Sequence, residues 1–204
     1  MSGAPLHPVL AVRDVAAARR RLAADFGWIE DGALLRLGDQ RICVTEAGQR
    51  PARFIGLPLD HVALSVADAD STWNAFLARG ARIDTAFTPD GPRDIPQFWS
   101  QGVRFIFFAG PEGWPLEFCA ENGNAMAPAA FGHSHYGIRC PDVAKLTRDL
   151  VAKGAATLAE HRLDGPQGTV SVAFLRFGPV ILELFDEPPF APPRENGWIG
   201  LAEG

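Results

Sequence analysis

The chain has 204 residues, of which 47% are apolar and 21% charged, and its formal net charge at pH 7 is −5. This length and composition predict an ordinary globular protein of one large or two small domains. The acidic balance and the lack of a face-wide basic run argue against nucleic acid as a partner. No apolar run approaches the length of a membrane span, so a membrane is not an expected partner either.

The three cysteines, Cys43, Cys119 and Cys140, all lie in apolar, strand-like runs. A count that is odd and sparse argues against a disulfide framework and indicates a reduced compartment. The N-terminal sequence MSGAPLHPVLAVRD lacks a charged leader followed by a long apolar stretch, so we expect no secretory signal. A cytoplasmic location is therefore predicted.

Three stretches of the chain resemble one another: residues 7–27, 61–80 and 135–154. Each begins with His, carries Asp seven residues later and ends with Gly. A strand-like run precedes each Asp, which is predicted to cap a helix, and each Gly is predicted to end that helix. Further strand-like runs follow, so the order strand, helix, strand, strand, strand is predicted three times.

These repeats predict an α+β fold built from βαβββ modules. A shorter, degenerate module is expected in residues 1–50, a second in residues 59–122 and a third in residues 133–187. The second and third modules are expected to pair within residues 59–187 as one domain, with a curved sheet around a cavity.

Two segments rich in Gly, Pro and Ala, residues 47–58 and 121–132, are predicted to be linkers. The Pro-rich tail, residues 188–204, is expected to be irregular or extended. Trp198 and Ile199 within the tail indicate that it packs on something, a partner subunit being one option.

Strand alternation places one His and one Glu from each of the last two modules on the sheet face away from the helix. These residues are His61 and Glu117 in the second module and His135 and Glu183 in the third. We expect the four side chains to converge if the sheets curve around a common space. Two imidazoles and two carboxylates suit a divalent Fe, Mn, Ni, Co or Zn ion better than Ca or Mg, and no thiolate selects Cu(I).

The βαβββ repeat, with DHVALSV opening the second module and PLEF near its end, resembles the vicinal oxygen chelate superfamily. That group contains glyoxalase I, methylmalonyl-CoA epimerase, extradiol dioxygenases, toxoflavin lyase, and the fosfomycin and bleomycin resistance proteins. The resemblance implies that metal ligands come from the first and last strands of two paired modules. His61, Glu117, His135 and Glu183 occupy those positions, and a full set of this kind resembles the glyoxalase and epimerase branch.

The resemblance implies a divalent-metal-dependent lyase or isomerase of the glyoxalase type. Its substrate would be a small organic molecule with two adjacent oxygens, converted through a metal-stabilised enediolate, with Glu117 or Glu183 as the catalytic base. One alternative is an Fe(II)- or Mn(II)-dependent dioxygenase or toxin-degrading lyase, in which one glutamate would not bind metal. A second alternative is a drug-binding resistance protein without metal or catalysis.

Four residues are candidates for binding the substrate. Arg139 is placed on the cavity face, where it would hold a carboxylate or phosphate of the substrate or form a salt bridge at the rim. Residues 90–102 form a long polar and aromatic segment that is predicted to be a lid. Arg93, Phe98 and Trp99 are its candidate contacts, although Phe98 and Trp99 would serve equally as anchors to the core.

Three further residues are given structural roles. His7 aligns with the two ligand histidines, but its module lacks a carboxylate at the matching position. His133 is assigned to a linker because the repeat register selects His135, and Cys119 is predicted to be a small wall residue rather than a nucleophile. The first module would leave its sheet edge open unless a symmetry mate or the tail covers it, so a homodimer is expected.

Overall fold

A computed structural model of the chain describes residues 6–49, 54–123, 130–165, 168–186 and 197–201. The fold is α+β and mostly strand, as the sequence predicted. None of the helices in these ranges has the length and apolarity needed to span a bilayer.

Each module opens with a strand followed by a helix. The first module contains β1 (Leu6–Val12), α1 (Val15–Arg21), β2 (Ile29–Asp31), β3 (Leu34–Leu37) and β4 (Gln40–Glu46), and β5 (Phe54–Pro58) follows it. The second contains β6 (His61–Ser65), α2 (Ala69–Ala78), β7 (Arg82–Ile83), β8 (Arg93–Ile95), β9 (Val103–Ala109) and β10 (Pro115–Glu121). The third contains β11 (Gly132–Arg139), α3 (Val143–Val151), β12 (Ala156–Gly165), β13 (Gly168–Phe177) and β14 (Val180–Phe185), and the tail contributes β15 (Gly197–Leu201).

The predicted helix caps are confirmed in all three modules. The side chains of Asp14, Asp68 and Asp142 accept hydrogen bonds from backbone N–H groups three residues later, at 2.8, 2.6 and 2.8 Å. Each bond satisfies one of the free N–H groups of a helix start. After α2 and α3 the chain turns at Gly80 and Gly154, whose φ angles of 95° and 99° favour glycine.

The second and third modules share one sheet of nine strands, in the order β12-β13-β14-β11-β6-β10-β9-β7, with β8 also paired to β9. The first strands of the two modules, β6 and β11, pair antiparallel at its centre. Each of them also pairs in parallel with the last strand of its own module, β10 or β14. The four strands expected to carry His or Glu ligands are therefore neighbours.

The first module forms a separate six-stranded sheet in the order β2-β3-β4-β1-β15-β5. Residues 47–58 were predicted to be a linker, which is wrong for Phe54–Pro58, because this segment forms β5 and pairs with β15. The tail strand β15 also pairs antiparallel with β1, and Ile199 within it is fully buried. The chain's own tail thus pairs with the first module's sheet at β1, and the homodimer stays a prediction. The prolines of the tail lie outside the described residues.

The nine-stranded sheet has two different faces. On one face, α2, α3 and the first module bury a large apolar core that includes Phe26, Phe76, Phe108 and Phe118. A second, aromatic cluster covers the opposite face. Its buried members include Phe98, Phe105, Phe107, Phe174 and Phe185. The predicted ligands lie on this second face, which is lined by aromatic side chains rather than helices.

Candidate metal centre

Strand alternation holds at each predicted ligand position. On β10, Leu116 and Phe118 are fully buried in the core under the helices, whereas Glu117 between them points to the aromatic face. Similarly, Leu182 and Leu184 on β14 lie in the same core, on either side of Glu183. The register of an alternating strand therefore fixes which face each carboxylate occupies.

His61, Glu117, His135 and Glu183 form a compact quartet whose ligand atoms lie within 4.8 Å of one another. The Nε2 atom of His61 lies 3.3 Å from Nε2 of His135, from a carboxylate oxygen of Glu117 and from one of Glu183. The Nε2 atom of His135 lies 3.1 and 3.3 Å from the same two carboxylates. Three of the four residues are buried, and the side chain of Glu183 is only 12% exposed.

These spacings fit a common metal ion. Bonds of about 2.1 Å to nitrogen and oxygen, meeting at right angles, separate adjacent ligand atoms by about 3 Å. Two imidazoles with two carboxylates form a donor set typical of Fe, Mn, Co, Ni or Zn, and the two carboxylates balance the charge of a divalent ion. The quartet can therefore hold such an ion.

Each of the two imidazoles has a hydrogen-bonding partner at Nδ1, the ring nitrogen that does not face the quartet. The Nδ1 atom of His61 lies 3.1 Å from the carboxylate of Asp60, and Nδ1 of His135 lies 3.0 Å from the hydroxyl of Ser134. Asp60 is itself buried and accepts a hydrogen bond from the guanidinium of Arg139 at 3.2 Å. A partner on Nδ1 fixes the ring orientation and directs Nε2 toward a metal, as outer-sphere carboxylates do at many metal sites.

The charges within the quartet stabilise one another. Burial alone would raise the carboxyl pKa values, but His135, and then His61, hold the pKa of Glu117 well below its usual range and lower that of Glu183 to about 2. Burial opposes protonation of His135, but the two carboxylates raise its pKa to about 9. The pKa of His61 is raised well above its usual value against the same burial, through Asp60 and then the two glutamates. Without an ion, the four groups therefore form a buried ionic cluster at neutral pH.

The surroundings of the imidazoles are tightly shaped. A Cβ on Gly137, which lies across from His61 in the β6–β11 pair, would overlap the His61 ring. The ring centroids of Phe107 and Phe185 lie 5.2 and 5.8 Å from that of His61. Phe174 stands 5.7 Å from His135. Aromatic rings therefore pack against both imidazoles of the quartet.

The structure gives a physical reason why His133 lies outside the quartet. A β-bulge at Ser134 shifts the register of β11, so His133 pairs with Leu64 and points to the helix side. There its Nε2 accepts the backbone N–H of Ile181 at 3.1 Å, and Nδ1 lies 3.0 Å from the amide oxygen of Gln40. Burial and the charge of His135 lower the pKa of His133 to about 4, so the ring is neutral and cross-links strands. His133 was predicted to lie in a linker, which is wrong, because it belongs to β11.

Two other residues were predicted to have structural roles. His7 lies on β1 of the first sheet and is not part of the quartet. Cys119 is buried, and burial together with the negative charge of Glu117 raises the pKa of its thiol well above the usual value. A thiol of this kind is a poor nucleophile.

The four predicted substrate contacts lie in different surroundings. Arg139 forms the salt bridge with Asp60, and its guanidinium lies 4.9 Å from the centroid of the Phe185 ring. Arg93 lies on β8, exposed, and donates to the carbonyl of Phe87 at 3.2 Å. Phe98 is buried against Phe174 with a centroid distance of 5.1 Å, so it anchors its segment. The predicted lid contains this anchor and the strand β8.

Trp99 has a different position from Phe98. It lies partly buried beside the quartet face, where it lines a cavity of about 190 Å³ with Cys119, Ser134 and Ile181. Cys119 is two residues along β10 from Glu117, and Ser134 contacts His135. The cavity therefore adjoins the quartet, and contact of its wall residues with a substrate stays a prediction.

The roles of three residues around the quartet were not predicted from the sequence. Asp60 precedes β6, so strand alternation does not place it, although its position directly before His61 was a usable signal. Ser134 acts through a bulge, which no sequence pattern here marks. The contact of Gly137 with His61 depends on the long-range pairing of β6 with β11, which the local pattern does not give.

Comparisons with known proteins agree with this architecture. A variant of glyoxalase I from Zea mays superposes with a TM-score of 0.64 at 16% identity, covering 94% of this chain and 72% of that one. A second maize glyoxalase I variant gives a TM-score of 0.63 at 16% identity, covering 95% and 70%. A variant of 4-hydroxymandelate synthase from Streptomyces coelicolor gives 0.56 at 16% identity, covering 96% and 70%. No protein-family model matches the chain, and no curated sequence matches it significantly.

At 16% identity, these likenesses define the fold. The chain shares its fold with glyoxalase I and 4-hydroxymandelate synthase, so the fold implied by the resemblance of its βαβββ repeats is confirmed. The alignment with maize glyoxalase I covers 95% of the chain, so it extends into the first module.

Proposed function

We propose that this protein is a divalent-metal-dependent enzyme of the glyoxalase type, a lyase or isomerase. Its substrate would be a small organic molecule with two adjacent oxygens, converted through an enediolate. The main support for this proposal is the quartet of His61, Glu117, His135 and Glu183. In each His–Glu pair and in the His–His pair, the potential metal-ligand atoms lie 3.1 to 3.3 Å apart. When bound, a divalent ion would supply Lewis acidity to the two substrate oxygens.

The chain's own residues would carry the proton transfer. One carboxylate, of Glu117 or Glu183, would take the proton from the carbon beside the carbonyl, and the C–H electron pair would pass into the enediolate. The same carboxylate would return the proton to the neighbouring carbon. In the metal-free protein both carboxylates are ionised at neutral pH because the imidazoles lower their pKa values, and a bound divalent ion would keep them ionised. The aromatic walls of Phe107, Phe174 and Phe185 would keep water from the enediolate.

Both glutamates lie equally close to the imidazoles, which supports a four-ligand site over a site with one carboxylate. An oxygenase that uses two histidines and one carboxylate is the main competing function. The buried quartet also argues against a resistance protein that binds a drug without metal, because four ionisable groups are costly to bury for sequestration alone.

The test is proton exchange in D₂O. The chain is stripped with a chelator, reloaded with Mn, Fe, Co, Ni or Zn, and incubated with a panel of small α-hydroxycarbonyl compounds. Metal-dependent deuterium incorporation beside the carbonyl, followed by NMR, is the expected result. It should disappear in the Glu117→Gln, Glu183→Gln double variant and persist in Glu160→Gln, which changes an exposed glutamate on β12. Oxygen consumption without exchange would favour the oxygenase, and exchange that survives in the double variant would exclude the proposed base.

A further inference from the structure

The cavity beside the quartet has a definite size. Its volume is about 190 Å³. For comparison, an apolar cavity of about 150 Å³ in a protein interior accepts one benzene ring. The cavity therefore accommodates a single six-membered ring with a few substituent atoms.

Apolar side chains that can contact a flat ring supply part of the cavity wall, and polar ones supply the rest, namely Ser65, Glu121, His133 and Ser134. Trp99, Val103 and Ile181 supply apolar surface, and all three belong to the aromatic cluster of the quartet face. The ring of Trp99 packs 4.8 Å from that of Phe174, which in turn stands 5.7 Å from His135. One aromatic wall thus runs from the quartet to the cavity. Aromatic rings bind to such surfaces through offset or edge contacts.

Trp99 has an unfavourable backbone conformation, which supports a functional role for its side chain. Its φ angle is +54°, in the left-handed region that bulky side chains rarely adopt. Backbone strain of this kind is unfavourable and clusters at binding sites. The neighbouring side chain of Phe98 is buried against Phe174, and Trp99 packs against the same ring.

The charge of the cavity excludes many ligands. Among the described residues that line it, Glu121 carries the only formal charge, and none is a lysine or arginine. Both ring nitrogens of His133 already have partners, the backbone N–H of Ile181 at Nε2 and the amide oxygen of Gln40 at Nδ1. A carboxylate or phosphate on the part of the substrate that enters this cavity would have no cationic partner and would face Glu121.

We infer that the substrate carries a single uncharged aromatic ring, which occupies the cavity beside Trp99 while its two adjacent oxygens face the quartet. This inference rests on the proposed function, since that function supplies the two oxygens. The inference excludes conjugates of acidic peptides or nucleotides as occupants of this cavity, because their anionic groups would find no cationic partner among its lining residues.

Four measurements test the inference, all on the metal-reloaded protein. Affinities are compared for α-hydroxyacetophenone, which has the ring and both oxygens, and hydroxyacetone, which lacks the ring. A third probe, 4-(hydroxyacetyl)benzoate, adds a carboxylate at the far end of the ring. We expect the ring to tighten binding by about tenfold or more and the added carboxylate to cancel that gain. The fourth measurement is the metal affinity itself.

Two matched variants locate the ring. Trp99→Ala should abolish the preference for the ring-bearing probe, with metal affinity unchanged. Trp73→Ala removes another partly buried tryptophan, on α2 at the opposite face, and should leave the preference intact. Equal binding of the first two probes, equal binding of the carboxylated probe, or a preference that survives in Trp99→Ala would each overturn the inference. If the chain bound no metal yet preferred the ring through Trp99, the proposed function would fail while the cavity assignment would stand.

Discussion

The imidazole of His61 lies directly against the backbone of Gly137, so a methyl group on Gly137 would overlap the ring. We expect Gly137→Ala to displace His61 and to weaken metal binding by at least about tenfold, because overpacking of this kind costs about 1–3 kcal/mol. Titration calorimetry measures the change. Gly110→Ala is the control, because Gly110 is crowded by Trp114 and Leu116 on the other side of the sheet. It should lower the melting temperature without changing metal affinity; equal metal affinity in both variants would contradict the contact.

Asp60 orients His61 and is expected to tune the affinity of the site. Asp60→Asn removes the negative charge behind the ring and the ion pair with Arg139. Loss of such an outer partner lowers metal affinity by about 10–100-fold. The matched control is Asp142→Asn, which makes the same chemical change at the N-cap of α3, where Asn caps as well as Asp. An Asp60→Asn protein with unchanged affinity would show that the carboxylate does not act through His61.

Metal binding should strengthen as pH rises. The pKa of His135 is about 9 in the metal-free protein and that of His61 is well above its usual value, so an ion must displace protons from both rings at neutral pH. Below pH 9 the logarithm of the affinity should therefore rise by up to about two per pH unit. Calorimetry in buffers of different ionisation enthalpy counts the released protons. Binding without proton release at pH 7 would contradict the protonated quartet.

The metal-free protein should show the opposite trend in stability. The raised pKa of His135 stabilises the fold fully below its unfolded value of 6.5, and this contribution is lost as pH rises through about 9. The lowered pKa of Glu183 stabilises the fold above 4.5, and that contribution is lost as pH falls through about 2. The melting temperature should therefore fall from pH 6.5 to 9 without metal and fall less with it. If the melting temperature changed with pH in the same way with and without metal, the link between metal binding and these pKa shifts would be contradicted.

The tail strand β15 should stabilise the first sheet. Ile199 is fully buried, and Ile199→Ala is expected to lower the free energy of unfolding by about 2–5 kcal/mol. The control is Ile29→Ala on β2, where the side chain is 50% exposed and the cost should be small. Denaturant unfolding measures both variants. An equal, small effect would mean that the tail does not pack as the structure has it.

Local patterns were sufficient to predict the modules and the faces of the ligands. An alternating strand fixes the face of Glu117 once Leu116 is assigned to the core, and the Asp caps repeat at a constant offset. What these patterns could not supply was long-range pairing. The insertion of β15 between β1 and β5 joins residues from opposite ends of the chain, and β5 itself resembled a linker because it has no partner nearby in sequence.

The details around the ligands escaped prediction for a related reason. The bulge at Ser134 changes the parity of β11 by one residue, which separates His133 from His135 although the sequence spaces them on one face. The cavity beside Trp99 is formed by side chains from several strands, and its volume depends on how these strands curve. Sequence alternation predicts a face but not a volume.

The most direct test of the central claim is the stoichiometry of divalent metal on the purified chain. The protein is stripped, titrated with Mn, Fe, Co, Ni and Zn in turn, and compared with the His61→Ala, His135→Ala double variant after its fold has been checked by circular dichroism. The account predicts one tightly bound ion per chain and none in the double variant. No tight binding of any of these ions, or equal binding in the variant, would contradict it.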